Sequence, residues 1–413
     1  MNILLDFITL SVKTGAGEYC RRVYFELIET LNKNENDDVN LFALYDSSKG
    51  IAYDDMRDDA LKRRHWVAFV DCKRKKITDI VEENKIDSFF IGCAQYVGVY
   101  EEIARLKCEV IAVVHDNYAE ELTEDSVYDY FLHANGGYEY KKRFKYEILN
   151  FMRYFRLTLK LCKTIIKNRH NGGYEKLLSK MRPIMQLFAD NKNMRIVTVS
   201  EFSKSAIIYH YEIGDEKRIS VMYSPERNPV ESNSVESVEL RSILDSKRPY
   251  ILMLSANREA KNAYKTINAF KRFCKFNKDL IFVAVGRKGE TSSRILNLPF
   301  LSDQDLTIAL RKCYALIYPS FFEGFGYPPL EAMRYGKPVL CSNVSSLPEV
   351  LGNAPIYFSP FYNTDIFRAM MKLVQSDDEY AKRSELSLTQ YKIVHERQER
   401  DLRKLLDLIL KKE

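Results

Sequence analysis

Tyr318 to Glu349 reads YPSFFEGFGYPPLEAMRYGKPVLCSNVSSLPE, and the fold of the chain turns on it. The apolar run Tyr314-Ala315-Leu316-Ile317-Tyr318 leading into it has the length and β-rich composition of a buried strand. Pro319 and Ser320 end that strand. A loop with Glu323, Gly324, Phe325 and Gly326 follows, and Pro328 and Pro329 suit the first turn of a helix through Leu330, Glu331, Ala332 and Met333. One carboxylate is therefore expected on a loop and the other inside a helix.

The glycines leave backbone N–H groups uncovered at a helix N-terminus, where the partial positive charge favours a phosphate or a sugar oxygen. Carboxylates accept hydrogen bonds from vicinal hydroxyls. A loop with both suits a ligand that carries sugar hydroxyls next to phosphate, although such loops also occur as plain turns and caps.

Working outward, Tyr250-Ile251-Leu252-Met253-Leu254 is a second buried strand, followed by Ser255-Ala256-Asn257-Arg258-Glu259-Ala260-Lys261-Asn262 and a helix through Ile267, Phe270 and Phe273. Two cations beside a helix N-terminus oppose the macrodipole, and they make sense if an anion sits there. Leu280 to Val285 is a further strand. Asp303 and Asp305 could suggest a metal, but Ser302 as N-cap with Asp305 three residues on reads better as a capping box. Downstream come a strand at Ile356 to Phe358, a helix near Ile366 to Leu373, and a long charged helix from Glu379 to Lys412.

The first half repeats the strand–loop–helix pattern. Asn2 to Leu10 reads as a strand, then Thr14-Gly15-Ala16-Gly17 as a tight loop, then Val23, Leu27, Ile28 and Leu31 at helical spacing. Strands at Asn40 to Leu44, Ser88 to Ile91, Glu109 to Val114 and Arg195 to Val199 follow, with a helix around Ile77 to Asn84. The strand Glu109 to Val114 ends in His115-Asp116, at its carboxyl end, where open parallel sheets bind ligands. Unaided, His115 is either a hydrogen-bonded structural group or a ligand contact. Ser200 reads as the N-cap of a helix before Ala206 to Tyr211, and Ile219 to Tyr223 closes the first domain.

Between about 117 and 193 the pattern changes. Segment 140–182 is crowded with Lys and Arg, and its apolar residues Ile148, Met152, Phe155, Leu159, Cys162 and Ile166 recur at three- and four-residue steps. Two readings of this basic amphipathic helix stand: a domain helix with a solvated charged face, or a contact with an anionic membrane surface. No nucleic-acid motif accompanies the charge, so no nucleic-acid partner is expected.

Whole-chain properties narrow the class. At 413 residues the chain exceeds one core and implies two domains. The net charge of +6 is mild. Eight cysteines are scattered with no CxxC pair and no zinc spacing, so reduced thiols and a cytoplasmic setting are expected. No metal site is expected. MNILLDFITL has neither a basic start nor a cleavage site, and no apolar run approaches the ~20 residues that span a bilayer.

Glu323-Gly-Phe-Gly-Tyr-Pro-Pro-Leu-Glu331, with Gly336-Lys337-Pro338-Val339 and Ser345-Ser346-Leu347-Pro348-Glu349, resembles the Glu-x7-Glu signature of retaining GT-B glycosyltransferases, in particular glycosyltransferase family 4. The resemblance covers most of the chain, strongly after Tyr250 and in outline before it. It implies an α/β fold of two Rossmann-like domains facing a cleft: 1–224 for the acceptor, with a basic helical insertion at about 117–193; a linker at 225–249; 250–378 for a nucleotide-diphosphate-sugar donor; and a last helix, 379–413, crossing back. It further implies that Glu331 holds the ribose hydroxyls, Glu323 the sugar hydroxyls, and Lys261 with Arg258 the diphosphate. Lys261-Asn262 matches the family's "KN" well, whereas Arg258 is offset from the commonest arginine position. By the same resemblance Gly17 lies near the donor, His115 reaches the transferred sugar, and Gly324, Phe325 and Gly326 line the donor site.

The expected function is thus retaining transfer of a sugar from a UDP- or GDP-type donor to a hydroxyl of a saccharide or lipid-linked saccharide, with no cofactor. A sugar-nucleotide epimerase and a silent GT-B binding module are the alternatives.

Overall fold

The computed structural model describes residues 1–33, 38–61, 67–94, 100–116, 121, 185–187, 190–191, 193–227, 229–230, 232, 234–287 and 291–412. The basic segment 140–182, read above as either a domain helix or a membrane contact, lies outside those residues.

Two parallel sheets form the frame. The first lobe holds β1 (Asn2–Asp6), β2 (Asn40–Tyr45), β3 (Val67–Asp71), β4 (Ser88–Ile91), β5 (Glu109–Val114), β6 (Met194–Thr198) and β7 (Ile219–Val221), in the order β3-β2-β1-β4-β5-β6-β7. In the second lobe are β8 (Tyr250–Met253), β9 (Ile281–Val285), β10 (Ile295–Leu298), β11 (Ala315–Tyr318), β12 (Val339–Ser342) and β13 (Ile356–Phe358), in the order β10-β9-β8-β11-β12-β13. Both follow the doubly wound pattern, in which chain order reverses beside the lobe's first strand. The chain is therefore a two-lobed α/β protein of GT-B architecture.

Its strands are apolar runs because both of their faces are covered. Ile3 and Leu5 join one buried cluster and Leu4 another. Likewise Leu252 faces one core and Ile251 and Met253 the other. Strands β3 and β10, which the sequence did not announce, are sheet edges with a single partner each, and so their sequences need less apolar content.

Helices cover the faces: α1 (Gly15–Lys33), α2 (Asp58–Leu61), α3 (Ile77–Glu83), α4 (Tyr100–Ile103), α5 (Glu201–Tyr211), α6 (Val238–Asp245), α7 (Ala263–Phe273), α8 (Asp303–Lys312), α9 (Tyr327–Met333), α10 (Leu347–Leu351), α11 (Asn363–Leu373) and α12 (Asp377–Ile409). The polar stretch 225–249 is more than a spacer, since it contains α6, capped by Ser237, with Leu240 and Ile243 buried. Two apolar positions three apart suffice to dock so short a helix. Asp305 of α8 holds its start, accepting from the N–H groups of Glu236 and Ser237 at 2.9 and 2.7 Å. The carboxylate of Asp305 is thus a capping group. Ser302 Oγ in turn accepts from Asp305 N at 3.3 Å.

Helix α12 ties the lobes together. Gln398 Nε2 donates to Ser224 O at 2.6 Å, and Asp401 Oδ2 accepts from Tyr223 N at 3.0 Å, both on the segment that crosses between lobes. Leu402, Leu405, Leu406 and Ile409 are buried in a cluster that contains strands of both sheets. Each such side chain contributes about 2 kcal/mol of burial. Among the described residues, no helix is long and apolar enough to cross a membrane.

Candidate active site

In an open parallel sheet, ligands bind beyond the carboxyl ends of the strands where the order reverses. In the second lobe that point lies between β8 and β11, so the two loops flanking it are Ser255–Asn262 and Pro319–Gly326. They are stitched to each other, since Phe321 N donates to Ala260 O at 2.9 Å. Ser345 and Ser346 fix the second loop from beneath: Glu323 N donates to Ser345 Oγ at 2.9 Å and Ser346 Oγ to Glu323 O at 2.8 Å.

This framework brings Lys261 and Glu323 into direct ion-pair contact, with side chains 13% and 14% exposed. Lys261 Nζ also donates to Tyr318 Oη at 2.8 Å and lies 4.7 Å from the Tyr318 ring centre. Burial pushes the Tyr318 phenol well above its ordinary range, so it stays neutral. The pair is charge-balanced as it stands, and an incoming anion would compete with Glu323 for Lys261.

Glu331 sits on α9, which Gly326 starts at φ +100° with Pro328 and Pro329 in its first turn. An added Cβ at Gly326 would come within 2.6 Å of Leu347 Cδ2. Arg227, on the crossing segment, donates from Nε to Glu331 Oε1 at 3.1 Å and reaches Asp303 Oδ1 at 3.5 Å. Glu331 Oε2 is buried with no hydrogen-bond partner among the described residues. Burial raises the Glu331 carboxyl, while Arg227 and Arg334 draw it down.

The first lobe faces this site with His115 and the α1 loop. His115 Nε2 lies 2.9 Å from Gly92 O, and a carbonyl only accepts, so Nε2 carries the proton and Nδ1 keeps its lone pair. Burial lowers the imidazole to about 4, which makes it neutral at pH 7. Gly324 is where the lobes touch, for an added Cβ there would lie 2.2 Å from His115 O and 2.9 Å from Asp116 Cβ. Across the same seam Ser200 Oγ donates to Gly324 O at 2.9 Å. Glu349 accepts from Glu201 N, Phe202 N and Tyr223 Oη at 2.9, 3.1 and 3.1 Å.

Several residues singled out in the sequence have local packing roles. Gly17 is buried: its N–H goes to Thr14 Oγ1 at 3.1 Å and an added Cβ would meet Tyr53 Oη at 2.6 Å, so packing within the lobe accounts for it. Gly15 instead lines the narrow cleft with Glu18, Pro225, Arg227 and Tyr327. Asn262 is fully buried in a left-handed turn, φ 57°, with its amide on Pro360 O at 2.8 Å, and it shapes the loop that presents Lys261. Phe325 packs between Tyr223 and Tyr327, at 5.2 and 5.5 Å between ring centres. Arg258 is exposed, makes no ion pair among the described residues and takes no part in the Lys261–Glu323 contact. Sequence reasoning missed Arg227, Tyr318 and the crossing role of Glu349, because each acquires its meaning only from a partner distant in the chain.

Residues 239–387 match the family model described as "Glycosyl transferases group 1". Over 177 residues the chain is 33% identical to the O-antigen chain mannosyltransferase RfbU of Salmonella typhimurium, covering 40% of this chain and 46% of that protein. It is 28% identical over 198 residues to the O-antigen chain mannosyltransferase B of Escherichia coli, covering 44% and 52%. The chain thus spans about half the length of these curated relatives. Its whole fold resembles the crystal structure of Anabaena Alr3699/HepE in complex with UDP-glucose, with a TM-score of 0.62 at 12% identity over 98% of this chain and 99% of that one.

Proposed function

We propose that this chain, a GT-B glycosyltransferase of group 1 by its fold and by the match over its second lobe, moves a hexose from a nucleotide-diphosphate donor to a saccharide hydroxyl with retention at the anomeric carbon. The mannosyltransferase relatives make mannose the favoured sugar and a surface polysaccharide the favoured acceptor. One observation carries the reading: Lys261 and Glu323 meet at the second lobe's switch point, against the seam with the first lobe.

The chemical problem is departure of a diphosphate as positive charge grows on the sugar. Lys261 is the cation that would balance the leaving group, and a group preorganised in this way typically contributes about 3 kcal/mol. As the phosphate takes Lys261, Glu323 is released to accept from sugar hydroxyls. His115, neutral and with Nδ1 free to accept, suits a sugar hydroxyl from the other side. Glu331, with one oxygen open, suits the ribose diol. Glu323 and Glu331 serve as hydrogen-bond acceptors here and neither acts as a nucleophile, unlike the carboxyl pair of a retaining glycosidase.

The test is a panel of UDP- and GDP-hexoses with and without saccharide acceptors, read by NMR for the anomer formed. A retained anomer from one donor, lost in Lys261→Ala, is the expected result. An inverted product overturns the retaining mechanism, and epimerised donor without transfer overturns the whole reading.

A further inference from the structure

The crossing segment puts one cation into the cleft that no motif marked. Arg227 lies next to the buried Glu331, lines the narrow opening with Gly15 and Glu18 of the first lobe and Tyr327 of the second, and is held on its other side by Asp303. It engages one carboxylate oxygen only. The other, Oε2, is buried without a partner among the described residues, a state that costs free energy unless something arrives to donate to it. A bare buried carboxylate would tend to take up a proton, and Glu331 faces Glu226, Asp303 and Tyr327 as well as Arg227 and Arg334, so the acids around it push the same way. Arg227 is the strongest opposing charge.

We propose that Arg227 is a positioning residue for donor recognition: it fixes Glu331 as an ionised acceptor with Oε1 occupied and Oε2 presented to the two hydroxyls of the donor's ribose, and so sets the preference for a ribonucleotide. This rests on the donor reading given above. Because Arg227 belongs to the segment joining the lobes and Glu331 to the second lobe, the preference depends on the crossing segment being in place. A salt bridge that merely stabilised the fold would give no such selectivity.

The experiment compares UDP and GDP with their dideoxy analogues, which lack both ribose hydroxyls, by calorimetric titration of the full chain. Wild type is expected to prefer the ribo form by about tenfold or more, the size of a charge-assisted hydrogen bond. In Arg227→Met the preference should shrink to about threefold or less while the dideoxy affinity holds, and Arg227→Lys should restore part of it. Thermal unfolding checks that each variant is folded. If Arg227→Met weakens both forms equally, or leaves the preference intact while Glu331→Gln abolishes it, the inference falls and the donor reading stands. If Glu331→Gln also leaves the preference intact, or wild type binds none of the probes, the placement of the ribose is wrong and the inference falls with it.

Discussion

The two lobes share one strand order and use charge at their switch points in opposite ways. At the end of β1 in the first lobe, Asp6 is fully buried and its carboxylate is held by Ile8 N, Thr9 N and Thr9 Oγ1 of its own turn and by the backbone of Cys93. Beyond β8 and β11 in the second, Lys261 and Glu323 are paired across two loops, partly exposed, and Glu331 has an oxygen left over. A carboxylate held mostly by fixed backbone N–H groups shapes a wall. One paired with another side chain, as Glu323 is with Lys261, can be released to a ligand, and this is why the donor's charge is assigned to the second lobe.

The strongest way to break that assignment is Lys261→Ala. Loss of one preorganised charge predicts turnover down about a hundredfold or more, with His115→Ala, on the first-lobe side, costing less. Steady-state kinetics with the active nucleotide sugar decide it, and the reverse ranking would move the charged centre to the other lobe.

The first lobe's own carboxylate makes a different prediction. Burial lifts Asp6 from its ordinary 3.8 to about 6. Between those values the folded protein keeps a proton that the unfolded chain has released, so the stability from this group falls as pH rises through the window and the cost is complete above it. About 1.4 kcal/mol per pH unit makes this on the order of 3 kcal/mol. Asp6→Asn, which keeps an acceptor for Ile8 N, should gain stability relative to wild type between pH 4 and pH 7, measured by denaturant unfolding. A difference that does not change with pH would mean that Asp6 is not held apart from water.

Much of this was legible because the signals were local. The glycines and prolines between Glu323 and Glu331 mark a loop and a helix start by their own backbone restrictions, and Ser200 and Ser302 cap helices where their sequence placed them. What was not legible depended on tertiary partners. Nothing in Asn262 itself says that its amide will be taken by Pro360, nor that Tyr53 will close over Gly17 and leave Gly15 to face the cleft. The carboxylate of Asp305 illustrates the boundary: its N–H follows the local capping rule, while its side chain serves a helix some seventy residues earlier.

A smaller effect probes the seam. Gly324→Ala places a methyl where His115 O lies 2.2 Å away, a backbone atom that cannot swing aside, so the lobes must part slightly. Misplacing facing groups by about 1 Å is costly, and turnover should fall about tenfold. Gly326→Ala meets only the flexible end of Leu347, though its φ of +100° adds strain within the second lobe. X-ray scattering should therefore show expansion for Gly324→Ala alone, and equal expansion in both would take the seam away from Gly324.

The mildest test concerns what keeps the lobes together without touching the donor. Glu349, on α10 of the second lobe, accepts from the first two N–H groups of α5 in the first, where the helix dipole favours an anion. Arg397 lies 3.6 Å over the ring of Tyr223, whose hydroxyl completes the contact, so the lobe-spanning helix α12 joins the same cluster. Glu349→Gln keeps one acceptor oxygen, turns an NH2 toward a backbone donor and removes the charge. The expected cost is about 1 kcal/mol, less in high salt because the group is partly exposed. Denaturant unfolding at low and high ionic strength measures it. A loss that is equally large in both would show that the bond acts through shape, and that attraction between the helix end and the carboxylate contributes nothing to holding the cleft shut.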